Sequence, residues 1–402
     1  MAIYFERLPE KQIAPQFPRW WVWPLLFILF LIIGASITLS ISLDNTISNG
    51  WFLGGVFFIP LVSWIFVAGF WFYWLTYCQD YAISWNKQYD ARYAELTLAG
   101  QQPLYVLFSA LYTEQGYQGT AQKITKEGVS IQTKMPYQGT KAMAHSKLVF
   151  EDDLLLTTLD LRAKNLFERL YKQITPIFIE PWIHYPIHVR FCIDTELDQN
   201  QLLALWQNVF SSYRFASIEL IEPEQSSGLI DTWIDNDIDG LLLVVSMHLF
   251  DSPQEKEGEA FSALLLAGES LLSDKKAKEA IATQSIELVT LHRPEIGHDL
   301  DKVIHHGVLW GAKEAAELTT VWYSHIELDS VPLIATQLDE QGIKLKHTYH
   351  LDNTIGHTGN CAYFTALALA SEHARSTEDK QLVVCQGDEM SASVILKTNL
   401  NT

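Results

Sequence analysis

Two apolar runs near the N-terminus, residues 20–43 and 51–77, contain no Lys, Arg, Asp or Glu. A helix rises about 1.5 Å per residue, so roughly 20 apolar residues cross a hydrocarbon core, and both runs are long enough. In lipid every backbone N–H and C=O must be satisfied within the segment, which makes each run a helix. With the polar link 44–50 (DNTISNG) between them, residues 20–77 are predicted to form a transmembrane helical hairpin. A hairpin buried in a soluble core is disfavoured, because such cores rarely need two uncharged runs of this length. A cleaved signal peptide fits poorly, since the first run is too long and a second span follows it.

Flanking charges set the direction. Arg7, Lys11 and Arg19 precede the first run, Lys87 and Arg92 follow the second, and the link has no Lys or Arg. The positive-inside rule then places both termini in the cytoplasm, which predicts a bacterial inner-membrane protein with the bulk of the chain inside. Trp20, Trp21 and Trp23, with Trp51, Trp71, Trp74 and Tyr77, have the character of interfacial belts.

Charge and composition narrow the function classes. A net charge of -19 excludes a nucleic-acid partner and a basic patch held to anionic lipid. Cys78, Cys192, Cys361 and Cys385 are far apart with no CxxC, as expected of reduced thiols. No HExxH, P-loop, GxGxxG or internal repeat is visible, so neither cofactor nor metal is expected. Adjacent His305 and His306 point about 100° apart on a helix and share no ligand face. Residues 231–239 (DTWIDNDID) have acidic spacing without the glycine and terminal glutamate of an EF-hand loop, and read as a solvated loop. Glu255, Glu257 and Glu259 read as a solvated turn after Pro253.

Beyond the hairpin, residues 78–98 continue as a helix with Tyr81, Trp85, Tyr89 and Tyr93 on one face, expected to pack on the following domain. From residue 187 onward strands and helices alternate, among them the continuous apolar run 239–249, a strand buried on both faces. The fold class is α/β. The organisation is a leader (1–19), the hairpin (20–77), a juxtamembrane helix with an α+β linker region (78–178) and an α/β domain (179–402).

The stretch 352–370 (DNTIGHTGNCAYFTALALA) is the most specific local signal. Ile355-Gly356-His357, followed by small residues opening a helix, resembles the second histidine motif of the β-ketoacyl synthases, members of the thiolase-like fold. Residues 258–266 (GEAFSALLL) resemble that family's GEGA-then-apolar strand. Residues 386–396 resemble its closing turn and strand, and His325 falls where its first histidine stands. The resemblance implies a thiolase-like domain over roughly residues 180–402, with His325 and His357 facing one cleft. It also implies a cysteine nucleophile at a helix N-terminus, and here the sequence departs. No such segment precedes Gly258, and Cys192 lies within a strand. Asp352 replaces the family's lysine, Tyr363 replaces a small pocket residue, and Asp388-Glu389 replace a glycine pair. Cys361, one turn into the helix after His357, is the remaining thiol candidate.

These readings predict a non-catalytic membrane-anchored scaffold that binds a partner protein. A two-span anchor on such a domain resembles accessory or adaptor proteins of type VI secretion, which implies effector loading or docking. The alternatives are an acyl-transfer or acyl-binding enzyme using His325 and His357, and a toxin-immunity or sensor protein.

Overall fold

The computed structural model describes all residues except 1–4, 45–47, 137–140, 151–157, 223–224, 237, 312–316, 388 and 399–402; parts of the predicted link and leader, the predicted helix start at 152, and Asp388 lie outside the described residues. The chain forms two compact units, Tyr4–Leu96 and Thr97–Thr402.

In the first unit, α1 (Val22–Asp44) and the N-terminal part of α2 (Asn49–Gly100) are long and apolar enough to cross a membrane, with mean hydropathies of 2.5 and 2.1. Only 6% and 11% of these windows is buried, so most of their apolar surface has no protein cover. The second run and the helix after it form one continuous helix, interrupted only by a π-helical turn at Gly54–Phe58. That turn stands just before Pro60, whose missing N–H cannot continue the α ladder. Small residues let α1 and α2 approach closely. A Cβ on Gly55 would lie 2.4 Å from Thr38 Oγ1, and one on Gly34 would lie 2.2 Å from Pro60 Cγ.

The aromatic stripe on α2 has a cover that the sequence did not suggest, namely the chain's own leader. Phe5 packs on Tyr93 with ring centroids 4.8 Å apart, and Trp85 Nε1 donates to Glu10 O at 3.0 Å. Lys11 pairs with Asp90 at 2.7 Å, and Asn86 exchanges hydrogen bonds with the Gln12 backbone.

The second unit is built on a mixed sheet. Among the described residues, ten of its eleven strands form one path: β1 (Leu104–Tyr112), β2 (Ile187–Thr195), β3 (Ser217–Leu220), β4 (Leu241–Leu249), β5 (Ala260–Gly268), β6 (Val289–Leu291), β7 (Leu318–Ser324), β8 (His347–His350), β9 (Lys380–Gln386) and β10 (Met390–Lys397). They lie in the order β8-β7-β9-β10-β6-β1-β5-β4-β2-β3. The stretch expected to be a linker region thus supplies a central strand: β1 pairs antiparallel with β5 and β6. Its alternating apolar residues need cover on both faces, which only the sheet interior provides.

The helices of this unit are α3 (Leu159–Ile174), α4 (Gln199–Val209), α5 (Gly228–Asp235), α6 (Lys275–Gln284), α7 (Leu300–Trp310), α8 (Ser330–Glu340) and α9 (Ala362–Ser376). The topology reveals a repeat that the sequence hides. The series β2-α4-β3-α5-β4-β5 and β7-α8-β8-α9-β9-β10 have the same order, the same parallel pairs and the same closing antiparallel pair. In both halves alternate strand residues face opposite cores. Leu241, Leu243 and Val245 pack with α3 and α4, while Leu242 and Val244 face α5 and α9. On the other half Val321 and Val384 face α7 and α8, while Trp322 and Val383 face α9. Helix α9 is therefore covered all round, and Ala366, Leu367, Ala368, Leu369 and Ala370 are each 0% exposed. The alanines keep it thin enough to fit within that enclosure.

Helix α5 corrects the reading of 231–239 as a solvated loop. Asp231 and Asp235, one turn apart, clamp buried Arg293, with Arg293 Nε 2.8 Å from Asp231 Oδ1. Ile230 and Trp233 bury the opposite face. Glu259 likewise is not solvated: it is 0% exposed and pairs with Arg162.

Candidate active-site cleft

The two halves place their central helices so that both N-termini border one cleft of about 740 Å³. Its walls include Ser226 and Ser227 before α5, His325 after β7, His357 before α9, and Tyr363 and Cys385. Residues at the carboxyl ends of parallel strands converge here, as ligand sites do in open α/β sheets.

Each histidine is held by its backbone. His325 follows β7 in the left-handed region (φ 57), unusual for a side chain with a Cβ, and its N–H donates to Asp352 Oδ2 at 2.9 Å. His357 is fixed by crossing backbones. Its N–H donates to Lys256 O at 2.7 Å, and its carbonyl accepts from Gly258 N–H at 2.8 Å. That crossing needs glycine on both strands, because a Cβ on Gly258 would lie 1.9 Å from Ile355 O and one on Gly356 2.8 Å from Gly258 Cα. The GEAF and IGHT segments are thus one structural device.

The sequence-predicted pair does come together: the rings of His325 and His357 stand 5.0 Å apart, edge to face. Asp352 lies between them, with Oδ1 3.4 Å from His357 Nδ1. Where the resemblance implies a lysine, a carboxylate stands, so the charge beside the imidazoles is reversed. Burial pushes the His325 pKa below its ordinary value, and the nearby His357 adds to this against the pull of Asp352. His325 Nε2 and Asp352 Oδ1 are buried and make no hydrogen bond.

Cys361, the thiol candidate, is turned away from this cleft. Its Sγ donates to Cys192 O at 3.1 Å while Cys192 Sγ donates to Asn360 O at 3.3 Å, and burial pushes the Cys361 thiol well above its usual range. Cys385 reaches the cleft wall but is 4% exposed, and burial lifts it to about 12. Neither is an activated thiolate. Helix α5, the counterpart of α9, opens with Gln225-Ser226-Ser227, so the helix start facing the histidines carries hydroxyls and an amide rather than sulfur. Sequence reasoning passed over this segment, although Leu229, Ile230, Trp233 and Ile234 carry a helical period. Tyr363 lines the cleft without filling it, because its hydroxyl is drawn to Ser393 at 2.8 Å. His306 faces Glu295, 3.3 Å away, in a polar cluster outside the cleft.

A second ionic cluster supports the floor. His248 at the end of β4 sits between Asp194 (Nδ1 to Oδ2, 3.3 Å) and Glu257 (Nε2 to Oε1, 3.2 Å). Asp194 also accepts from Asn360 N at 2.9 Å, and Gly359 (φ 52) leaves the room it needs. Burial opposes charge on His248, but the two carboxylates prevail and raise its pKa to about 9. A raised folded-state pKa gives stability that is fully present below the unfolded value near 6.5 and is lost as pH climbs through about 9. With Asp194 one-third exposed, about 2 kcal/mol is at stake. Hydrogen exchange at β4 amides should therefore accelerate between pH 6.5 and 9, after correction for intrinsic exchange. A His248→Gln chain should show a flat profile.

No protein-family model and no curated protein matches the sequence. Solved structures do match. A chain of AntDE:AntF, a type II PKS acyl-carrier protein in complex with its ketosynthase bound to the hexaketide, superposes with a TM-score of 0.52 at 10% identity, over 74% of this chain and 99% of that one. ChlB3, an acyltransferase, gives 0.45 at 11% over 74% and 98%. The 3-oxoacyl-[acyl-carrier-protein] synthase III of Aquifex aeolicus gives 0.38 at 11% over 73% and 100%. The first of these shows the fold: the α/β part of the chain is thiolase-like.

Proposed function

We propose that this chain is a membrane-anchored thiolase-like domain that binds an acyl ligand in the cleft between α5 and α9 and does not condense thioesters. The observation that carries it is the pairing of His325 and His357 across an open cleft whose nearest thiols are buried and poorly acidic. Two imidazoles beside helix N-termini orient a carbonyl oxygen, but condensation needs a nucleophile that leaves as a stable thiolate. The uncovered apolar helices support membrane anchoring, and the flanking Arg and Lys residues favour the cytoplasmic face of an inner membrane.

The full chain in detergent should bind a long-chain acyl-pantetheine thioester saturably, without thioester turnover and without acylation of any cysteine. Ser226→Trp, which fills the cleft from its rim, should abolish binding. A stable acyl adduct on a cysteine, or no binding at all by the native chain, would refute the proposal.

A second reading is a scaffold that docks a partner protein, in type VI secretion or in toxin immunity. Leu328 and Leu333, 74% and 58% exposed beside the cleft residue Glu327, favour it. It predicts that Leu328→Glu lowers recovery of a specific cellular partner while leaving acyl binding intact.

A further inference from the structure

We propose that His325, Asp352 and His357 form a binding site for one divalent ion of the zinc class, open to the cleft. One ring nitrogen from each histidine and one carboxylate oxygen all lie within 4.8 Å of one another. Tetrahedral zinc with ligand bonds of about 2.0–2.1 Å sets its ligands roughly 3.4 Å apart. His357 Nδ1 and Asp352 Oδ1 already stand at 3.4 Å, and a His325 ring nitrogen lies within 4.8 Å of a ligand atom on each of them.

Several features favour an ion over a hydrogen-bonded triad. The 3.4 Å separation is long for a charge-assisted hydrogen bond, which is about 2.7–2.9 Å. Asp352 Oδ1 and His325 Nε2 are buried atoms with no hydrogen bond, a condition native structures rarely leave unexplained. Meanwhile Asp352 Oδ2 is occupied by the His325 N–H at 2.9 Å, which orients the carboxylate as an outer-shell partner would. Two imidazoles and one carboxylate suit zinc better than magnesium or calcium, which prefer all-oxygen sets. Three protein ligands leave a fourth position free, the arrangement of catalytic rather than structural zinc. The inference stands independently of acyl binding. Where both hold, the ion faces the ligand's carbonyl as a Lewis acid.

The test uses the full chain in detergent, stripped with a chelator, and titrated with Zn²⁺ by calorimetry and with Co²⁺ by visible absorption. One equivalent should bind, with the strong visible bands of four-coordinate cobalt. Asp352→Asn, nearly the same shape, should weaken binding by at least about 10-fold. His357→Ala, at a side chain 43% exposed and so tolerant of truncation, should do the same. His298→Ala, a cleft histidine outside the set, should leave affinity unchanged. Absence of a stoichiometric site in the native chain, or binding that survives Asp352→Asn combined with His357→Ala, would overturn the proposal.

Discussion

Arg162→Ala should destabilise the thiolase-like domain by about 3–5 kcal/mol, the usual consequence of stranding one half of a buried ion pair. Arg162 is 3% exposed and Glu259 is 0% exposed. The Glu259 carboxylate also accepts from Leu148 N at 2.9 Å and Phe250 N at 3.3 Å, so it ties three segments to the start of β5. Burial already pushes its pKa upward, against the pull of Arg162. Without the guanidinium only the Leu148 and Phe250 N–H groups oppose that upward pull. The variant should therefore recover stability as pH falls and the carboxyl becomes protonated. Arg162→Ala combined with Glu259→Gln should be milder than Arg162→Ala alone, because no uncompensated charge remains. Hydrogen exchange at β5 amides reads both effects. Equal damage in the single and double variants would show that packing, not charge, sets the loss.

Gly356→Ala should be nearly as costly, roughly 3 kcal/mol, and should also disable the cleft. Gly356 has φ 88, and its added Cβ would meet the Gly258 backbone at 2.8 Å. Backbone cannot rotate aside as a side chain would, so strain and overpacking act together. The displaced strand carries His357, hence ligand affinity should fall along with stability. An alanine variant with native exchange rates and native binding would show that the crossing is looser than described.

Much of this architecture was legible in the sequence, because the strongest signals were long and periodic. The two uncharged runs, the apolar strand at 239–249 and the alanine-rich helix after His357 each demand one kind of environment. The histidine pair was legible through a short motif whose glycine has a geometric role. Other features were hidden for physical reasons. Glu259 and Asp231 look solvated because sequence shows a charge but not its distant partner, Arg162 or Arg293. Helix α5 was masked by acidic residues that serve as a clamp. The apolar run 104–111 reads as a buried strand or a short helix, but its partners could not be read, because they are more than 100 residues away and no local pattern announces the pairing. Asp352 was read as the loss of a lysine, when its position between two imidazoles makes it a gain of donor atoms.

The leader's grip on α2 has a topological consequence. Phe5 touches Tyr93, Glu10 receives the Trp85 indole, and Lys11 pairs with Asp90. Segments in contact share an aqueous compartment, so the polypeptide between them must traverse a bilayer an even number of times. This parity holds without reference to charge distribution: whichever side receives Phe5 also receives Tyr93. A cross-link between residues 11 and 90 in intact membranes would register it directly.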